Sequence, residues 1–491
     1  MIRALPLVCS LVGSLAYAGL LTGCDAGPDA RAQWLQTTLV LDNQVFLDTD
    51  PAQAEAKFAR MSLSLYAFFR GTMPQFARDL AEGGGAGRGA SRYATAETAD
   101  VALVGDPHPE NIGSFRGADG ALVIDFNDFD AATYGPFHFD VRRLALGFYV
   151  AAVELDAGEP LKLAEAVVAG YVDEVGAMTQ GRSAATAMAA GDDHGEILNY
   201  TLRKAAEDGA AREELDDYTR VLGAQREMFF GEVEPPVAWE IGEHALPVAR
   251  DEVMAMSAAE MHDVAQLVAQ WPTTLVDAGV MAPHAIAVKG ASRRLGAGIA
   301  SFAAPRFYVL LEGPTATLED DVLLEIKRVY DPPPLPGLSR LPSRPFADNG
   351  ARVVAMQRAL QTTAADDPLL GSANVGAASY RVRDRSKFQR GVDLAKIAEK
   401  LDEGDFAAED LEVLAGQAGH LLARSHARAK RQGGEPGLAA IAAALASEPE
   451  GFVTETVGFV RDYAPVLRAD YERFLAAIAA DGPSLGYSSR P

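Results

Sequence analysis

"VGDPHPENIG" (104–113) and "VIDFNDFD" (123–130) place carboxylates and amides directly behind short apolar runs. Charged groups beside buried strands are costly unless something positive compensates them. The pattern points to a divalent cation and the phosphates it carries. Asp106 and Asn111 are five residues apart, and Asp125 follows Asn111 by fourteen. The lead-ins "DVALVG" (100–105) and "ALVIDF" (121–126) are bounded by polar turns and read as buried strands.

Working outward, Phe58, Met61, Leu65, Phe68, Phe69 and Phe76 recur at helical spacing, interrupted near Gly71 and Pro74. "EGGGAGRGASR" (82–92) is loop. Helices are expected over 142–154 and 162–178, and dominate 196–230 and 251–270. The composition then shifts. "HAIAVKG", "PRFYVLLEG" and "VLLEIKRVYD" predict a sheet-rich stretch over 284–332, followed by a Pro-rich loop at 331–345. A helix (350–362), a strand (379–384) and Ala/Leu-rich helices complete the chain, which has no internal repeat. The expected class is α+β and helix-rich. Its segments are a leader (1–23), a tether (24–50), a helical lobe bearing the motifs (51–280), a sheet-rich lobe (281–390) and C-terminal helices (391–491).

The 491 residues are 48% hydrophobic and 23% charged, which argues against global disorder. A net charge of −24 disfavours nucleic acid or an anionic lipid surface as partner. The N-terminus "MIRALPLVCSLVGSLAYAGLLTGC" has one basic residue, an apolar run and small residues around a cysteine, the build of a secretory signal. Leu21-Thr22-Gly23-Cys24 resembles the bacterial lipobox, so Cys24 is expected to be acylated and to anchor an envelope lipoprotein. Ordinary signal cleavage is the alternative. The only other cysteine, Cys9, lies inside the leader, so the mature chain has no intramolecular disulfide to form.

Phosphoryl transfer in a kinase-like fold asks three things of such a segment. A carboxylate accepts the proton of the attacking hydroxyl, and an Asn and a second Asp hold Mg²⁺ against the phosphates. Asp106 fits the base, and Asn111 and Asp125 fit the metal ligands. "GDPHPEN…VIDFND" is similar to the aminoglycoside and choline phosphotransferase branch. In that branch a further Asp at the next helix start braces the catalytic loop, a place that Asp140 in "GPFHFDVRRLA" fits.

Over about residues 55–430 the chain resembles the bacterial "domain of unknown function 2252" family. The matching words are "FFRG" (68–71), "GDPHPENIGSF" (105–115), "IDFNDFD" (124–130), "GPFHFDVRRLA" (135–145), "VVAMQRALQ" (353–361) and "SHARA" (425–429). The resemblance implies a relation to kinase-like phosphotransferases with a bilobal fold, Mg²⁺ or Mn²⁺, and a nucleoside triphosphate such as ATP. It implies a Gly-rich hairpin, for which Gly296, Gly298 and Ser301 in "RLGAGIAS" are candidates. It also implies a phosphate-neutralising lysine, for which Lys327 in "LLEIKRV" stands. Both follow the catalytic loop, so the fold would be circularly permuted. The helix after Lys327 offers no Glu to pair with it, only Gln357 and Gln361.

Other residues have two readings. Arg70 is a helix end or a phosphate contact. Asp128 and Asp130 support Asp125 or bind a second cation. His108 organises its loop through hydrogen bonds, and His426 is structural. Asp106-x-His108 also opens the metallophosphoesterase pattern, but no GNH word follows among the eight histidines. "DFNDFD" lacks the Gly and Glu of an EF-hand, and no G-x-S-x-G occurs. The remaining rival is a non-catalytic envelope protein that uses a kinase-like shell to bind a ligand. The acceptor is not specified.

Overall fold

A computed structural model describes residues 28–82, 89–117, 119–277, 287–315, 317–333, 346–362 and 367–488. The leader, Cys24 and most of the Pro-rich loop lie outside these residues. The expected tether is instead a helix, α1 (Pro28–Thr49), whose Trp34, Leu35, Leu39, Phe46 and Leu47 are buried. Burial of that much apolar surface holds the segment on the body. Three short helices follow: α2 (Pro51–Met61), α3 (Leu65–Gly71) and α4 (Met73–Glu82). The Asp50 side chain caps α2 and the Ser64 side chain caps α3 by accepting backbone N–H groups.

The motif segment is built from β1 (Val101–Leu103), β2 (Ile112–Arg116), β3 (Leu122–Phe126) and β4 (Thr133–Gly135). β2 and β3 form an antiparallel hairpin, and β4 returns to pair with β1. Two long helices, α5 (Phe137–Leu155) and α6 (Pro160–Thr179), pack behind it. After β5 (Met188–Ala189) come α7 (Glu196–Ala211) and α8 (Glu213–Tyr218). Helix was expected to continue to 230. The chain turns instead into β6 (Thr219–Leu222) and β7 (Gln225–Met228), an antiparallel pair joined by Gly223-Ala224. The short strands β8 (Gly231–Glu232), β9 (Glu240–Ile241), β10 (His244–Ala245) and β11 (Glu252–Met254) follow.

Helix α9 (Ala258–Gln270) starts at a capping box between Ser257 and Glu260. Then come β12 (Val288–Leu295), β13 (Arg306–Leu311), β14 (Val322–Val329), α10 (Asn349–Leu360), β15 (Gly371–Val375) and β16 (Ala378–Asp384). These strands join β8 and β11 in a seven-stranded antiparallel sheet of order β15-β16-β14-β13-β12-β11-β8. Strand alternation divides its faces. Phe307, Val309, Leu324, Ile326, Tyr380 and Val382 pack on Val264, Leu267, Val268 and Trp271 of α9 and its C-terminal turn. Arg306, Lys327, Arg381, Glu325 and Arg383 occupy the alternate positions.

The chain ends in α11 (Leu394–Glu403), α12 (Ala408–Arg428), α13 (Gly437–Leu445) and α14 (Pro449–Asp481). Helix α12 runs against α6 at backbone distance: a Cβ at Gly419 would lie 2.0 Å from the Val167 carbonyl oxygen. The main core gathers Phe58, Phe68, Phe137, Tyr171, Leu422 and Phe474 from helices distant in sequence, with Phe126 from β3. The architecture is mixed helix and sheet. No helix among the described residues is long and apolar enough to cross a membrane.

Candidate functional site

The loop between β1 and β2 is held from behind. Asp140, one turn into α5, is buried and accepts the backbone N–H groups of Val104 (2.7 Å) and Gly105 (3.1 Å). Its Oδ2 also lies 3.1 Å from Nε2 of His426 on α12, whose Nδ1 is 2.9 Å from the Tyr171 hydroxyl. Gly105 has φ +91°, and a Cβ there would meet the Ala131 carbonyl oxygen at 2.2 Å. Only glycine fits this close approach of the two motif loops.

The loop delivers Asp106 to a cleft of about 340 Å³. Arg143 Nε donates to Asp106 Oδ1 at 2.8 Å, while the guanidinium stacks 3.6 Å over the Phe69 ring. Burial raises the Asp106 pKa above the ordinary aspartate value, and Arg143 opposes that rise. His108 lines the same cleft, and its buried Nδ1 has no hydrogen-bond partner. Burial, with Arg70 and Arg143 nearby, pushes the imidazole well below its usual pKa, so it is neutral. The expected loop-organising hydrogen bonds are therefore not made by Nδ1.

Two expected metal ligands are committed elsewhere. Asn111 is a brace: its Oδ1 accepts the N–H groups of Asn127 (3.2 Å) and Asp128 (2.6 Å), and its Nδ2 donates to the carbonyls of Asp106 and Asp128. Asp125 is fully buried and is not among the cleft-lining residues. Its Oδ2 accepts the Thr362 N–H at 2.6 Å and faces Arg428 at 3.4 Å, and its Oδ1 takes the Phe126 N–H. The pleat of β3 turns it toward α10 and α12, away from the cleft.

Asp128 and Asp130, just beyond that strand, stand in the cleft. Lys327 on β14 forms an ion pair with Asp130 and lies 3.5 Å from Asp128 Oδ2. Burial would raise the Asp128 pKa, but Lys327 and Arg381 hold it well below the carboxylate range. Arg352 on α10 fixes the loop by donating to the carbonyls of Asp130, Ala132 and Tyr330, and Gln361 donates to that of Phe126.

Behind Lys327 the sheet presents a charged grid. Arg306, Lys327 and Arg381 sit directly opposite one another on β13, β14 and β16. Like charges in register are destabilising. Buried Glu325 compensates by pairing with Arg306 (3.0 Å), Arg381 (2.6 Å) and Arg383 (3.1 Å). Arg70, in the last turn of α3, pairs with Glu110 and lines the cleft. Gly298 and Ser301 line it from the turn between β12 and β13, whereas Gly296 (φ +75°) shapes that turn from outside the lining. Lys57 of α2 reaches the cleft beside Phe46, bonded to Asn43 at 2.6 Å; burial lowers its pKa to about 8.

The sequence analysis missed Arg306, Glu325, Arg381 and Arg383. Part of their signal was alternation: "LLEIK" puts Glu325 and Lys327, and "SYRVRD" puts Arg381 and Arg383, two residues apart and so on one face of a strand. Seven cations and five aspartates line the cleft, so it is locally positive in a chain of net charge −24. That sign favours an anionic ligand. Among the described residues no three His, Cys, Asp or Glu side chains are grouped to hold a metal ion unaided.

These features define an antiparallel sheet and a helical body meeting at an acid–base cleft. The chain belongs to the family described as "Uncharacterized protein conserved in bacteria (DUF2252)", whose model matches residues 49–477. No curated protein and no solved structure matches it.

Proposed function

We propose that the chain is a Mg²⁺-dependent phosphotransferase, or a nucleotidyl transferase, that uses a triphosphate donor in a circularly permuted, bilobal kinase-like fold. The observation that carries this reading is the opposition of Asp106, Asp128 and Asp130 to Lys327 and Arg381 across one cleft. The order of parts supports it too. A glycine turn joins two adjacent strands, a lysine sits on the third, and a helix follows, as in a kinase nucleotide lobe. Lys327 takes its carboxylate partners from the motif loop instead of from that helix.

The residues fit a Mg²⁺ ion that leans on its substrate. Such ions take one or two carboxylates and complete their shell with phosphates and water. Asp128 and Asp130 would hold it, Asp130 having a buried Oδ1 without a hydrogen-bond partner. The ion would neutralise phosphate charge. Asp106, made more basic by burial, accepts the proton of the acceptor hydroxyl. That oxygen bonds to the transferred phosphorus, the bond to the bridging oxygen breaks, and the rest of the donor leaves. Lys327 and Arg381 stabilise the leaving charge.

The test is release of phosphate from a Mg²⁺-loaded triphosphate, with water or an added alcohol as acceptor. Asp106→Asn should lower turnover by at least a hundredfold while the melting temperature moves by less than about 3 °C. Full turnover in Asp106→Asn would sink the reading. Nucleotide binding without turnover in the native chain would favour a non-catalytic binding protein.

We also propose that Cys24 carries the lipid anchor of an envelope protein. The support is the lipobox-like sequence. Fatty-acid labelling that persists in Cys24→Ser would contradict it.

A further inference from the structure

Two lysines are buried among the described residues, Lys327 and Lys57. Lys327 has the carboxylates of Asp128 and Asp130. Among the described residues no carboxylate lies within ion-pair reach of Lys57, although lysine is almost never buried without such a partner. Its Nζ donates instead to the neutral Oδ1 of Asn43 at 2.6 Å. Asn43 is held in that orientation because its Nδ2 donates to the Leu39 carbonyl at 2.8 Å. The neighbouring carboxylate, Asp42, is taken by Arg78 and by Gln75 (2.8 Å).

The amine also lies over the Phe46 ring, 5.7 Å from its centroid, and Lys57 lines the cleft. A lysine desolvated in this way gives up its proton readily and becomes a nucleophile. Burial lowers the Lys57 pKa to about 8. At pH 7.5 about one molecule in four then carries the free amine, against about one in a thousand for an ordinary lysine. One N–H still serves Asn43, and the lone pair is left for a ligand.

We propose that Lys57 is a covalent binding site, which captures an aldehyde or ketone bearing an anionic group as a Schiff base within the cleft. The amine nitrogen bonds to the carbonyl carbon, and the carbonyl oxygen departs as water with both amine protons. The C=N bond that remains needs no oxidant, reductant or metal. The anionic group of the ligand answers the locally positive lining of the cleft. The inference goes beyond the phosphotransferase reading and does not depend on it.

The experiment incubates the full chain at pH 7.5 with pyridoxal phosphate, a phosphate-bearing aldehyde. Borohydride traps the imines, and mass spectrometry maps the labelled peptides. Lys57 should be labelled at least tenfold faster than any other lysine. That preference should fall at least tenfold with pyridoxal, which lacks the phosphate, and vanish when the chain is unfolded in urea. Lys57→Arg should lose the adduct; the peptide map of the native chain decides the matter if the variant misfolds. Labelling spread evenly over the lysines, or none at Lys57, would overturn the inference, as would a preference that survives urea. The same preference with pyridoxal would overturn the need for an anionic group. Phosphate release is read separately, so the phosphotransferase reading stands or falls apart from these outcomes.

Discussion

Asp140 shows how one carboxylate positions chemistry without touching it. Two backbone N–H groups of the loop and His426 converge on it inside the protein. Asp140→Asn keeps the shape but turns an amide NH₂ toward one of those donors. The expected loss is about 3 kcal/mol, the cost of an unsatisfied buried group, read from urea unfolding; a loss below 1 kcal/mol would contradict the bracing role. Lys57 makes a second residue-scale prediction. Its pKa is about 8 in the folded chain against 10.5 ordinarily, so the unfolded chain binds more protons between those values. Stability contributed by Lys57 therefore rises with pH across that window. Relative to Lys57→Met, the native chain should gain roughly 3 kcal/mol from pH 8 to 10.5. A flat difference would mean that Lys57 titrates normally.

Among elements, the α6–α12 contact is the least tolerant. Gly419→Ala puts a methyl group on the Val167 carbonyl and must part the two helices. Overpacking of this kind costs about 3 kcal/mol. Because α12 carries His426 and Arg428, which hold Asp140 and Asp125, the variant should also lose triphosphate affinity. A variant as stable as the native chain would refute the close packing.

Elements also mark what could be read in advance. β1, β3, α5, α6 and β12 to β14 were legible because apolar runs of strand or helix period end at polar turns. The burial of Asp125 was not, since its partners Thr362 and Arg428 lie more than 230 residues away. Local pattern carries no record of such partners. Asp125 therefore looked like a cleft residue, while Asp128 and Asp130 hold that place. The strands of 219–254 were missed because each is short and β6, with one buried residue and three exposed, does not alternate as β7 does.

At the scale of the whole molecule, α1 decides whether the body closes. It precedes the segment matched by the family, yet Arg31 ties it to Asp79 of α4 at 2.7 Å and Asp470 of α14 at 2.5 Å. Arg31→Met would strand two buried carboxylates, at a cost of about 4 kcal/mol. Differential scanning calorimetry should show a lower melting temperature; an unchanged one would make α1 an appendage after all. α1 also contributes Asp42, Val45 and Phe46 to the cleft, so body and site share this helix.

The most direct measurement is a crystal of the full chain soaked with Mn²⁺ and ATP, with anomalous scattering recorded. The account predicts a manganese peak about 2.1 Å from oxygens of Asp128 or Asp130, with phosphates reaching Lys327 and Arg381. A metal and phosphate bound anywhere else, or a cleft still bare at saturating ligand, would contradict it.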